Sequence, residues 1–547
     1  MAGNPNIFSR ARRRVVTWKG RNEIARLARQ VADHAPPTPG QQPVVIFSAS
    51  TRLADLSQNA AFALLAGWSL RLSGAPVIHF VCQGGMSCCV LGINRDDFTR
   101  PMPCGTCIAQ SRRLFAHGEV HAVTYQEDAE LSQRLGGLNV EQLGSFEVPF
   151  RLPRRENAAS LPIGSLVLTS ARLTLRRHSL PDDEPTRYLL RQYILSAYRL
   201  AQEFALLLER ARPQAVLLFN ALLFPEAAAM WVARQMGVRA VAHEVGFQQF
   251  SAFFTEGEPT AYPMRIPEEL VLSAEQNARL DQYLEGRFQG KFSMAGIQFW
   301  PEMRGLDEEF LKKAGAYRQI VPVFTNVIYD TSQAHANVVF PHMFAWLETV
   351  LEVIRSHPET LFVIRAHPDE MRPGTAKQSR ESVQSWVKHS GAAELPNVVF
   401  IDSLEYISSY ELIQRAKFVM VYSSSIGLEA ALMGKPVLCG GKARYTQYPI
   451  VFFPSSSQAY RRAAEEFLNA EQILVPAEFQ ANSRKFLYYQ LYRASLPLDD
   501  YMQPGQRMGY VQLRPVGWEK LLPAQSPTLR VIVEGILHGA PFLLPEA

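Results

Sequence analysis

Short, almost wholly apolar runs recur along this chain, and most alternate with stretches that have the spacing of an amphipathic helix. Val44 to Ala49 is the first such run and Val77 to Val81 the second; strands buried on both faces of a parallel sheet have this continuous apolar character. Ser57 to Leu72 between them reads as a helix, closed by Gly74-Ala75-Pro76, so the unit is β-α-β. The order returns downstream. An amphipathic segment from Thr186 to Arg212 stops at Pro213, followed by a strand at Ala215 to Phe219, a helix at Pro225 to Gln235, the turn Met236-Gly237 and a strand at Val238 to Ala242. The stretch from Phe250 to Tyr317 is less regular, rich in Pro, Gly and charge, and reads as a crossover. A second series opens with the strand Ile320 to Asn326. It continues with a helix at Met343 to Ser356, strands at Leu361 to Arg365 and Val398 to Ile401, a helix at Ser408 to Arg415, a strand at Phe418 to Tyr422, a helix at Ile426 to Met433 and a strand at Pro436 to Cys439.

Alternation of this kind, twice over, predicts an α/β protein with two Rossmann-like parallel-sheet domains. The boundaries expected are a basic segment and linker at 1–42, a first domain at 43–250, the crossover at 251–317, a second domain at 318–480, and a helical segment at 481–547 packing back on the first domain. Ligands in such sheets bind beyond the carboxyl ends of the strands, so the loops there are where chemistry is sought.

Composition narrows the class. A chain of 547 residues exceeds one core, and 47% apolar with 20% charged residues is ordinary globular usage, which excludes wholesale disorder. The longest apolar stretches are too short for a bilayer or are broken by Asn220, Pro225 and Glu226, and the N-terminus lacks the pattern of a secretory signal, so a cytoplasmic location is expected. Net charge is only +5, yet the first 30 residues hold eight Lys or Arg against one acid, Glu23, with Arg10-Ala11-Arg12-Arg13-Arg14 among them. This bias fits a solvated, partly frayed terminus or a peripheral contact with anionic lipid at the inner face of a membrane. No basic face interleaved with stacking aromatics appears elsewhere, which excludes nucleic acid as the expected partner.

The richest chemistry lies in the second series. Phe418 to Tyr422, then Ser423-Ser424-Ser425-Ile426-Gly427, then Leu428-Glu429-Ala430 form strand, small-residue loop and helix in order. Hydroxyls and backbone N–H groups at a helix start suit a phosphate, and Glu429 is placed to accept hydrogen bonds from vicinal hydroxyls such as a ribose offers. The alternative is that the serines cap the helix and Glu429 complements its dipole. Arg365-Ala366-His367-Pro368 ends another strand and projects toward the same crevice, where a cation and an imidazole could neutralise charge developing on a leaving phosphate.

These residues carry a resemblance. The run Tyr422 to Val437, with Ile407 to Ile413 before it and Gly440 to Tyr445 after it, resembles capsular polysaccharide biosynthesis proteins, GT-B enzymes similar to the Kdo transferases of capsule assembly; the likeness covers about residues 318 to 450. It implies a GT-B fold, ribose binding by Glu429, and phosphate binding by Ser424, Ser425 and Gly427, with Ser423 of the same loop a candidate from its place at the helix start. His367 of the His-Pro pair, with Arg365 beside it, would contact nucleotide phosphate. Thr325, Asn326 and Asp330 are similar to a Thr-Asn-x-x-x-Asp stretch of the same proteins that would touch donor phosphate or sugar; a turn Asn and a helix-starting Asp explain them as well.

Inverting transfer needs a base for the acceptor hydroxyl, expected in the first domain. Ala242-His243-Glu244-Val245-Gly246 follows a buried strand, which makes Glu244 the first candidate, His243 the second and Asp55, after the first strand, the third. Five of six cysteines, Cys82, Cys88, Cys89, Cys104 and Cys107, share one window. Cys104-Gly105-Thr106-Cys107 has the spacing of a metal knuckle that two of Cys82, Cys88 and Cys89 could complete as a structural zinc or iron–sulfur site; a redox disulfide or plain buried thiols are the alternatives. The function expected is transfer of a sugar from a nucleotide-sugar donor to a surface polysaccharide or glycolipid acceptor, with no cofactor needed for catalysis. A nonhydrolysing sugar-nucleotide epimerase or a silent glycan-binding scaffold of the same fold are the other readings.

Overall fold

The computed structural model describes residues 7–37, 39–49, 55–153, 155–289, 303–372 and 378–546, with side chains from residue 20 onward. The strands are β1 (Val44–Ser48), β2 (Val77–Cys82), β3 (Glu119–Val123), β4 (Val148–Phe150), β5 (Ala159–Leu161), β6 (Ala215–Phe219), β7 (Ala240–Val245) and β8 (Ser251–Thr255) in the first half. They continue with β9 (Gln319–Phe324), β10 (Thr360–Arg365), β11 (Val398–Ile401), β12 (Val419–Val421), β13 (Val437–Cys439), β14 (Leu496–Pro497), β15 (Met502–Pro504) and β16 (Val511–Leu513).

Two sheets dominate. The first has seven strands in the order β14-β8-β7-β6-β1-β2-β3, the second five in the order β11-β10-β9-β12-β13. The second sheet is parallel throughout, as is the β3-β2-β1-β6-β7 part of the first, while β8 and β14 extend the first sheet antiparallel. In each parallel set the first strand lies in the middle and the chain later returns to its other side, so β1/β6 and β9/β12 are topological switch points. Two Rossmann-like domains facing across a cleft make this a GT-B architecture.

The apolar runs are explained by coverage on both faces. Val45 and Phe47 of β1 pack among the helices Ile163–Leu175, Glu184–Ala211 and Phe224–Gln235. Their neighbours Val44 and Ile46 pack among Gln58–Leu72 and Pro527–His538, as the two-residue alternation of a strand requires.

Three stretches differ from the sequence expectation. Ile7–His34 is a single helix, with Ile24, Leu27, Ala28 and Val31 buried against the first domain; their i, i+3, i+4, i+7 spacing is a packing stripe, whereas charge drew attention to the frayed-end reading. The side chains of Arg10 to Arg14 lie outside the described residues. The crossover holds the helix Ala274–Phe288, started by a capping box between Ser273 and Gln276. Beyond residue 481 the chain is only partly helical: it adds β14 to the first sheet and forms the β15–β16 hairpin before its last helix. Among the described residues no helix is long and apolar enough to cross a membrane.

Candidate functional site in the cleft

At the second switch point β9 and β12 run in register, Phe324 opposite Val421, which sets their following loops side by side. Asn326 Nδ2 donates to Ser423 Oγ at 3.0 Å and accepts the Val327 N–H on Oδ1. Thr325 Oγ1 donates to the Arg365 carbonyl, and Asp330 Oδ1 accepts from the N–H and hydroxyl of Ser332. Thr325 and Asn326 thus tie neighbouring strand ends together, while Asp330 closes a turn within its own loop.

The interdomain cleft is a cavity of about 300 Å³. His367, Ser424 and Ser425 line it, and the same three residues line an adjoining pocket of about 90 Å³ with Arg365 and Glu429. His367 Nδ1 accepts the Asp369 N–H at 3.1 Å, so the neutral ring carries its proton on Nε2. Arg365, by contrast, donates to the carbonyls of Asp402 and Glu405 at 2.8 and 2.7 Å, and burial pulls its guanidinium down to about 10. It braces the 402–405 loop more than it offers charge to the crevice. Gly427 is required by packing, since a Cβ there would strike the Tyr445 hydroxyl, which itself donates to the Ser424 carbonyl. The helix Ile426–Leu432 has only seven residues and no side-chain cap.

Glu429 is only 5% exposed. Its Oε1 pairs with Arg287 at 2.5 Å and its Oε2 accepts from the Tyr410 hydroxyl at 2.6 Å. Burial opposes the charge on Arg287, and the carboxylate of Glu429 more than restores it, so the guanidinium is held above its ordinary value. Lys442 and Arg444 add positive charge to the cleft wall, Arg444 stacking 3.7 Å over the Tyr262 ring.

The first-domain candidates separate. Glu244 sits at the end of β7, its Oε2 accepting from Asn220 Nδ2 at 2.7 Å and its Oε1 from the Val245 N–H at 2.9 Å; the next residues, Val245 to Phe247, line the cleft. His243 does not serve as expected. Strand alternation turns it inward among Phe62, Phe219 and Phe254, where burial lowers its imidazole to about 3 and neither ring nitrogen has a hydrogen-bond partner. Asp55 is also displaced: it lies 3.6 Å from Arg507 and lines a separate cavity against the β15–β16 hairpin. All six cysteines are free thiols. Cys82, Cys89, Cys104 and Cys107 line one small cavity, Cys88 is turned away from it, and among the described residues no group of three or more His, Cys, Asp or Glu side chains stands in metal-coordinating geometry.

Residues 281–480 match the family model described as capsule polysaccharide biosynthesis protein. That match covers the end of the crossover and the second domain, less than half of the chain. No curated protein sequence matches the chain. Among solved structures, the β-Kdo 2,4 transferase of KpsC from Thermosulfurimonas dismutans is similar at 15% identity, over 52% of this chain and 80% of that one, with a TM-score of 0.33. The β-Kdo 2,7 transferase of the same protein gives 16% identity, 58% and 86% coverage, and a TM-score of 0.33. A UDP-GlcNAc 2-epimerase from Neisseria meningitidis bound to UDP-GlcNAc gives 12% identity, 82% and 98% coverage, and a TM-score of 0.24.

The cleft and its adjoining pocket are also lined by residues that the sequence did not single out. Tyr410, Lys442 and Arg444 fall inside the runs that carried the resemblance, so the signal was present. Arg287 and Tyr262 lie in the crossover, where no periodicity marked them. The second domain also buries Glu370, 1% exposed, whose Oε1 accepts the Val383 N–H at 2.8 Å. Burial pushes this carboxyl up to about 8 from an ordinary 4.5. Between those values the folded state keeps a proton that the unfolded chain releases, so the Glu370 contribution to stability falls as pH rises through that window. Glu370→Gln keeps the acceptor and has no proton to lose. Its melting temperature relative to the parent is expected to rise between about pH 5 and 8.5 in scanning calorimetry; a constant difference would refute this assignment.

Proposed function

We propose that the chain is a glycosyltransferase that moves a sugar from a nucleotide-sugar donor to a surface polysaccharide or glycolipid acceptor by a metal-independent mechanism. The observation carrying this reading is the set of His367, Ser424, Ser425, Lys442 and Arg444 around one cleft at a switch point. When the glycosidic bond to the donor breaks, negative charge grows on the departing phosphate. An imidazole N–H, two serine hydroxyls and two cations already in place stabilise that charge without reorganisation. The adjoining pocket, floored by Glu429, suits the nucleoside, its carboxylate keeping lone pairs for ribose hydroxyls beyond those used by Arg287 and Tyr410. Closure of the domains would exclude water and align the acceptor. The setting proposed is the cytoplasmic face of a membrane, with the basic run at Arg10 to Arg14 toward anionic lipid.

Glu244 is proposed as the base for the acceptor hydroxyl, supported by its place beside the cleft at the end of β7. Glu244→Gln is expected to lower turnover by about 10²–10⁴-fold while leaving donor affinity unchanged; a loss of only a few fold would assign Glu244 instead to holding Asn220 and Asn59, whose Nδ2 donates to its Oε1 at 3.4 Å. A melting screen across UDP-, GDP-, CDP- and CMP-sugars tests the whole reading, since a ligand of the native state raises stability by mass action. Interconversion of the free donor without acceptor would turn the reading to an epimerase, and binding without turnover to a glycan-binding scaffold.

A further inference from the structure

One side chain of the crossover touches both walls of the cleft. Tyr262 follows the short turn Pro259–Ala261 with its backbone in the left-handed region, at φ +47°, a conformation that a bulky residue keeps only where its surroundings enforce it. Here they do. The Tyr262 N–H donates to the Pro259 carbonyl at 3.1 Å, and the Gln447 side-chain amide donates to the carbonyls of both Tyr262 and Arg444, at 2.8 and 2.6 Å. The ring, 2% exposed, stacks on Phe253 of β8 with centroids 4.5 Å apart. Its hydroxyl donates to the Val245 carbonyl at the end of β7.

We propose that Tyr262 is a positioning residue for the donor phosphate: its ring is a fixed plate that holds the Arg444 guanidinium at the cleft wall, and its hydroxyl ties that plate to the strand end that carries Glu244. The role rests on reading the cleft as the donor-phosphate site. The guanidinium carbon of Arg444 lies 3.7 Å from the ring centroid, and both residues line the cavity of about 300 Å³. An aromatic face attracts a cation without cancelling its charge, so a stacked guanidinium keeps that charge, and the N–H donors in its plane, for a phosphate. A lysine ammonium has no flat face to lay on the ring.

The same phenol is within electrostatic reach of the proposed base. Burial pushes it up to about 12, Arg444 draws it down, and the Glu244 carboxylate adds to the rise. It therefore stays protonated through the neutral range and keeps donating to Val245. Tyr262 thus sets the placement of a first-domain carboxylate and a second-domain cation from one backbone position.

Inorganic pyrophosphate, titrated calorimetrically into the full chain at low salt, tests the phosphate grip apart from sugar, nucleobase and acceptor. Tyr262→Leu is expected to weaken its binding by about 3–30-fold, the range of a cation–π contact, while Tyr262→Phe, which keeps the ring and its stack on Phe253, should stay within about twofold of the parent. Arg444→Lys keeps the charge but loses the stack, so it too should weaken binding by about 3–30-fold. In the Tyr262→Leu background it should cost nothing further. Full affinity in Tyr262→Leu, a Tyr262→Phe as weak as Tyr262→Leu, or losses that add in the double variant would overturn the positioning role and leave the proposed function standing. A parent chain that binds no pyrophosphate would remove the phosphate cleft itself, and this role with it. Should Tyr262→Leu fail to fold, Arg444→Lys against the parent decides, and equal affinity overturns the role.

Discussion

Replacing Glu429 by alanine is expected to abolish the rise in melting temperature given by the sugar nucleotide and also to cost about 3–5 kcal/mol of stability, because it strands a buried guanidinium. Arg287 is 3% exposed and its short ion pair is with Glu429. A single variant would therefore confuse loss of a binding group with damage to the fold. The double variant Glu429→Leu/Arg287→Met separates them. Replacing both partners of a buried pair by apolar groups of similar volume is often neutral or stabilising, so its melting temperature should return near that of the parent while the ligand-induced rise stays absent. A double variant that is stable and still responds to the sugar nucleotide would remove Glu429 from the site.

His367→Ala is expected to lower transfer by about 10²–10³-fold, the usual consequence of removing one preorganised donor from a developing negative charge. Donor affinity should change little, because the charge the imidazole meets is larger in the transition state than in the bound donor. The ring is half-buried and accepts a hydrogen bond from the backbone N–H two residues on, a local contact, so the melting temperature should hold. Turnover of donor with acceptor present, beside a melting curve, gives both numbers. An unchanged rate would show that the leaving group does not approach this wall of the cleft.

Periodicity made much of the fold legible. The helix at 343–356 and the strands at 215–219 and 398–401 have the extents the pattern gave them, because each is bounded by Pro, Gly or a capping side chain and buried on the faces its apolar residues define. What failed was polar or short. β3 is exposed at most positions and carries no continuous apolar run, and β14 has only two residues. At the site, small residues and charges after strands were enough to single out His367, Ser424 and Glu429, which share the pocket of about 90 Å³. Whether a side chain faces a cleft or a core depends on strand alternation one residue at a time: Glu244 and His243 are neighbours, and the register alone turns the imidazole into the apolar interior. Arg287 could not be anticipated at all, since its partner lies far along the chain and only the tertiary path of the crossover brings them together.

The pairing of β14 with β8 has a consequence for biogenesis. Residues 496–497 complete a sheet whose other strands lie between residues 44 and 255, so during synthesis the earlier lobe waits, its Ser251–Thr255 border uncovered, until the later lobe has left the ribosome. The two lobes are laced together rather than strung like beads. A fragment cut at the crossover would carry a bare, association-prone border, and changes near residue 496 should register first as misfolding of a lobe encoded hundreds of codons upstream.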